Sequence, residues 1–123
     1  MNKKAPNPNR ESAQKLAGRI AAMSDEQRAE LAASMPVVVS VTGHILSPRN
    51  TCLAVTQIPT ATVMGGFRQW LAAGRCVRKG EHAAYISAPA MRKNEAGEES
   101  GFFILVPVFD VSQTEAVAQQ VAA

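Results

Sequence analysis

Apolar residues recur along this chain in two rhythms, a helical one through its first half and an alternating one towards its end. Ala13, Leu16, Ala17, Ile20 and Met23 fall on one helical stripe behind Ser12 as N-cap, which predicts a first helix to about Ala22. Ser24 and Gln27 have the spacing of a capping box, in which a hydroxyl and an amide each satisfy a free backbone donor. A second helix is therefore expected over about 25–34, with Leu31 and Met35 facing inward, and Pro36 ends it. Val37, Val38, Val39 and Val41, closed by Thr42-Gly43-His44, read as a short strand. Ser47-Pro48 joins a cap to a first-turn proline and opens a third helix to about Gln57. That helix is apolar nearly all round at Cys52, Leu53, Ala54 and Val55, so it is expected to be buried. Asn50 and Gln57 lie on one side of it. Buried amides must be hydrogen-bonded, and pinning neighbouring loops is the reading preferred over direct ligand contact.

Residues 61–64 are short and β-prone and lead into a Gly65-Gly66 turn. Phe67, Trp70 and Leu71 follow at the i, i+3, i+4 spacing of one helical face, which predicts a short helix with all three rings and chains in the core. Gly74 stops that helix. Arg75, Arg78 and Lys79 then crowd three cations ahead of Gly80, a basic turn that either stays solvated or meets an anion. Residues 83–89 alternate, with Ala84, Ile86 and Ala88 on one face and Tyr85 and Ser87 on the other. Residues 92–101 are too polar for anything but a charged loop. Residues 102–111 are apolar on both faces, as a central strand is, with Pro107 marking a bulge or an edge. Phe103, Leu105 and Phe109 share a face there. They are core residues, or a platform if helices cover only the opposite face. The tail from 113 onward forms a weak helix or frays.

These elements describe an α+β protein: a helical N-terminal half packed on a small, mostly antiparallel sheet with a C-terminal β-hairpin. Residues 1–10 are expected to be a flexible basic arm, 11–115 a single domain, and 116–123 a weakly ordered tail. The 123 residues suffice for one real core, and 46% of them are apolar. No apolar run approaches the roughly 20 residues that cross a bilayer. Lys3 and Lys4 precede no apolar segment, so a cytoplasmic protein with reduced Cys52 and Cys76 is expected.

Charge sharpens the picture. The net +3 conceals a gradient: residues 1–46 carry +2, residues 47–93 carry +6, and residues 94–123 carry −5. A polyanion is expected to meet the middle of the chain. Chemistry, by contrast, is missing. His44 and His82 share no metal motif with a cysteine or carboxylate, no phosphate-cradling glycine loop occurs, and no serine or cysteine has an activating neighbour. Neither metal nor cofactor is expected, and no catalysis.

Five groups of residues occur in a telling order: Ser47 with Asn50; Gln57, Pro59 and Ala61-Thr62; Gly66-Phe67 with Trp70; Gly74-Arg75 with Val77-Arg78-Lys79-Gly80-Glu81; and Val108-Phe109-Asp110 with Ser112-Gln113-Thr114. Over about residues 44–115 the chain resembles the ArdC-like N-terminal single-stranded-DNA-binding domain of plasmid and phage antirestriction proteins and plasmid primases. The resemblance implies an α+β domain that binds single-stranded DNA with little sequence preference. It carries binding and not catalysis, because the His-Glu-x-x-His helix of the metallopeptidase domain in larger relatives is missing from these residues. His82 stands where relatives often have lysine or glycine. A basic groove following phosphates would draw on Arg49, Arg68, Arg75, Arg78 and Lys79, with Arg92 and Lys93 as further cations. Gly80 would shape the turn and Tyr85 would stack on bases. The alternative is a protein-interaction module of a mobile element, binding a host protein through its acidic loop and tail.

Overall fold

The computed structural model describes residues 7–117. Helix α1 (Pro8–Ala21) is capped by Asn7, whose Oδ1 accepts from the Asn9 N–H at 2.9 Å. It therefore starts one turn before the expected Ser12, inside the segment expected to be a flexible arm; residues 1–6 lie outside the described residues. Helix α2 (Asp25–Ala33) opens on the Ser24–Gln27 capping box. Leu31 is exposed and Met35 half-buried, so its inward face is weaker than the pattern suggests. Arg28 on α2 reaches back to α1, where Nη1 donates to the Ile20 carbonyl at 3.0 Å and Nη2 pairs with Asp25. A cation thus satisfies the carbonyl end of α1.

Strand β1 (Val39–Ser40) runs parallel to β2 (Val63–Gly65), and between them lies α3 (Pro48–Gln57) with Ser47 as its cap. Helix α4 (Phe67–Ala72) stops at Gly74 and gives way to β3 (Arg75–Val77). Strands β4 (Ala84–Lys93) and β5 (Glu99–Asp110) form one long hairpin. A 3₁₀ turn (Val111–Gln113) then leads to β6 (Thr114–Ala116). The main sheet has the order β1-β2-β5-β4, antiparallel except for β1–β2, while β3 and β6 make a separate antiparallel pair. The expected α+β class and mainly antiparallel sheet are both present. Two boundaries differ. The charged segment 92–101 contributes to both hairpin strands and turns only at 94–98, because cross-strand pairing overrides local polarity. The stretch after Gln113 is a strand as far as Ala116, held by β3; residues 118–123 lie outside the described residues.

Helix α3 is the hub. Leu53, with Cys52 and Ile20, forms one cluster to which Leu16, Ile86 and Leu105 add. Ala54 and Val55 join Val38, Met64, Ala84 and Val108 in another. Its two amides fit a strand edge where loops were expected. Gln57 Oε1 accepts from the Tyr85 N–H at 2.9 Å and Nε2 donates to the Tyr85 carbonyl at 2.7 Å. Asn50 does the same for Ser87, at 2.8 and 2.9 Å. Two side chains on one helix face so replace the missing neighbour of β4 and close an edge that would otherwise invite pairing.

The Phe67–Trp70–Leu71 face splits. Trp70 is buried, whereas Phe67 and Leu71 are exposed. Phe67 stands at the first position of the six-residue helix α4 and Leu71 near its end, and only Trp70 between them is packed against the sheet. Its Nε1 donates to the Phe109 carbonyl at 2.9 Å. Gly65 makes room for it: a Cβ there would collide with Val41 and stand 3.1 Å from Trp70 Nε1.

Candidate nucleic-acid interface

The basic turn is less free than its sequence suggests. Arg75 sits in β3, where Nε donates to Thr114 Oγ1 at 2.7 Å and Nη2 to the Thr114 carbonyl at 3.1 Å. Arg78 Nη2 donates to the Ser112 carbonyl at 2.6 Å and pairs with Glu81 at 3.2 Å. These two cations clamp the C-terminal segment. Gly80, at φ +90°, turns the chain back in a conformation that side-chain-bearing residues avoid. Gln113 Nε2 then donates to the His82 carbonyl at 2.8 Å. Lys79 and Arg68 are exposed and make no hydrogen bond or ion pair with the described residues.

Behind that turn lies Asp110, only 1% exposed. Its Oδ1 accepts from the N–H groups of Thr62 (2.9 Å) and Val63 (3.2 Å), and its Oδ2 from the N–H (3.0 Å) and Oγ (2.6 Å) of Ser112. Burial pushes this carboxyl's pKa up, but the Ser112 hydroxyl and the three N–H donors outweigh it and hold the group below the ordinary aspartate value. At Cys52 burial dominates and pushes the thiol up, which suits an inert packed cysteine.

Tyr85 is half-buried. Its hydroxyl accepts from Asn7 Nδ2 at 3.4 Å, so the ring expected to stack on bases is only partly open and its tip is engaged by the start of α1. The exposed aromatic surface is farther along the hairpin. Phe103 is 57% exposed, and the Arg49 guanidinium lies over its ring at 4.4 Å from the centroid. The Arg92 guanidinium lies over Phe102 at 4.5 Å. Because neighbouring strand residues point to opposite faces, these two cation–aromatic stacks occupy opposite faces of the same ribbon. Leu105 and Phe109 share the Phe103 face but are half-buried, so only the outer part of that face is open. Lys93 pairs with Glu99 at 3.8 Å, and every residue from 91 to 101 is exposed.

The structure therefore divides the expected site residues into groups. Arg75, Arg78, Lys79 and Gly80 mark the base of the hairpin, Arg49 its middle, and Arg92 and Lys93 its tip. Strand β4 separates base from tip by about 30 Å at some 3.3 Å per residue. Arg68 stands apart on α4. Sequence reasoning missed Phe102, and it left Phe103 open between core and platform. The available signal was a pair of phenylalanines entering a strand next to a loop too charged to cover them.

Beside Arg49 runs a groove of about 590 Å³ whose walls include Arg28, Ser47, Asn50, Ser87 and Phe103. A recess of about 250 Å³ adjoins it, sharing Arg49, Ser87 and Phe103 and reaching Ala17 and Leu105. A depression of about 650 Å³ on α1 is lined by that helix alone and gathers no convergent groups. Among the described residues no group of three or more His, Cys, Asp or Glu could hold a metal ion, and no helix is long and apolar enough to cross a membrane.

Helices packed along one edge of a mainly antiparallel sheet, with a long hairpin extending past them, define a small α+β domain. The family model for the N-terminal domain of anti-restriction factor ArdC matches residues 12–121, and the chain belongs to that family. Among solved structures it is similar to the antirestriction ArdC protein from the R388 plasmid. With the metal-free structure the TM-score is 0.51 at 20% identity, over 87% of this chain and 42% of that one. With the Mn(II)-bound structure the TM-score is 0.53 at 19% identity, over 78% of this chain and 40% of that one. This chain spans about two-fifths of the length of that protein. No curated protein matches it.

Proposed function

We propose that this domain binds single-stranded DNA, without catalysis and with little sequence preference, as a component of a phage, plasmid or other mobile element. The observation that carries this reading is the pair of guanidinium–phenylalanine stacks on the hairpin. Flat rings next to cations suit a strand whose bases are unpaired and whose phosphates lie close by. The local +6 of residues 47–93 and the family itself support it. A second reading, docking of a host or mobile-element protein, draws on the exposed Met91 near Glu95, Glu98 and Glu99 at the hairpin tip, with the exposed Ile104 farther down the hairpin.

Titration of labelled oligonucleotides, single-stranded and duplex, at two salt concentrations separates these readings. Single strands of mixed sequence are expected to bind more tightly than the matching duplex, with log affinity falling linearly against log salt. Equal or stronger duplex binding at moderate salt would count against the proposal, and salt-independent behaviour would favour the protein partner. Lys79→Ala is the clean probe of the basic turn, since Arg78 also holds the Ser112 carbonyl. The expected result is stability within about 0.5 kcal/mol of the parent and a salt slope smaller by about 0.7. An unchanged slope would make Lys79 a solvated lysine and move the phosphate path to Arg49, Arg92 and Lys93.

A further inference from the structure

We infer that the groove between α2, α3 and the hairpin is a stacking subsite for one unpaired nucleobase, with Phe103 as its platform and Arg49 as its cation. This rests on the single-strand reading above and assigns it a place.

Three observations converge there. The groove and its adjoining recess meet at the same pair, Arg49 and Phe103. Phe103 leaves 57% of its surface in water although Arg49 lies over its ring, while Leu105, two positions on along the same face, packs against the buried cluster. The Arg49 guanidinium lies over the ring, 4.4 Å from its centroid, with no carboxylate paired to it among the described residues.

The other polar groups of the groove are already engaged. Asn50 and Ser87 bind one another, with Asn50 Oδ1 accepting from both the Ser87 N–H and its hydroxyl at 2.8 Å. Arg28 is spent on the end of α1 and on Asp25. What remains is the part of the ring that Arg49 leaves open, a planar cation, the Asp25 carboxylate offset by Arg28, and little that reads a base edge. Such a site accepts any base by its π-face and favours a phosphate nearby, which is the recognition of an unpaired nucleotide without sequence readout. A duplex keeps its base faces stacked inside and offers none to Phe103.

The test uses the full chain and a labelled single-stranded oligonucleotide of mixed sequence. Phe103 is exposed, so its variants are expected to fold, with melting temperature as the control. Phe103→Ala and Phe103→Leu are expected to weaken binding by about five- to a hundredfold, the range for losing one base stack. The salt slope should stay that of the wild type, because no phosphate contact is lost. Phe103→Trp is expected to restore affinity. An oligonucleotide carrying 5-bromouracil should crosslink to Phe103 or its groove neighbours. Wild-type affinity in both the alanine and leucine variants, while the parent binds single strands, would overturn the subsite and leave the wider reading standing. Equal losses in all three variants would mark Phe103 as merely structural and overturn the subsite likewise. Failure of the wild type itself to bind single strands at low salt would overturn both.

Discussion

Asp110→Ala is expected to lower the stability of this domain by about 3–5 kcal/mol, a large part of the roughly 5–15 kcal/mol that holds a domain of this size together. The carboxylate is 1% exposed and accepts four hydrogen bonds. Three come from backbone N–H groups of Thr62, Val63 and Ser112, which alanine leaves without a partner next to the core. The loss should also spread. The Asp110 N–H donates to Gln113 Oε1 at 2.9 Å, and Gln113 holds His82 and Glu81, so the loop carrying Lys79 and Gly80 loosens with it. Urea unfolding of parent and variant measures the difference. Its pH dependence has a definite sign. Hydrogen bonding holds the native pKa below the ordinary value of 3.8, so the contribution of the charge is present in full above that value. It is lost as pH falls through the native value. The gap between parent and variant should therefore be constant near neutrality and narrow in acid. A gap that persists unchanged at low pH would mean that the charge itself contributes nothing.

The signals legible in the sequence were mostly local ones. Ser24 with Gln27, Ser47 with Pro48, and Gly74 each state the start or end of a helix within four residues, and each boundary lies where they put it. The Asn50–Gln57 pairing was half legible. The sequence requires partners for both amides, but that the partners are alternate residues of one strand edge depends on how α3 lies against β4. The same limit explains the basic turn. Arg75 and Arg78 read as free cations because Thr114 and Ser112, which hold them, are more than thirty positions away.

Ser47 caps α3, Asn50 and Gln57 close β4, Trp70 is packed, and Asp110, Ser112, Gln113 and Thr114 hold the base of the hairpin. Most of the family pattern therefore describes how the domain is built. The exposed stacks depend on Phe102, Phe103 and Arg92, which lie outside the pattern, together with Arg49, which lies between two of its members. Those groups mark the fold more directly than the surface.

Trp70→Ala should be about as damaging as the Asp110 change, at roughly 3–5 kcal/mol, and its pattern of effects decides between two roles for the ring. Trp70 is 3% exposed, its Nε1 is bonded to the Phe109 carbonyl, and its indole lies against Gly65, where even a Cβ would crowd it. Truncation leaves a cavity between α4 and the β2–β5 pair and an unpaired carbonyl on β5. Trp70→Phe keeps most of the volume and loses the donor, so its cost is expected to be smaller, about 1–3 kcal/mol. Both variants should show a lower melting temperature, and any loss of DNA binding should track the fraction unfolded. Fluorescence supplies an independent reading because Trp70 is the only tryptophan. Its emission should be that of a buried indole, should shift to the red only on unfolding, and should not be quenched by saturating single-stranded DNA. Strong quenching in the folded protein, or a Trp70→Ala variant that stays folded yet loses DNA, would place the indole against bases. The stacking surface would then have to be redrawn from the Arg49–Phe103 groove to helix α4, beside the exposed Phe67 and Arg68.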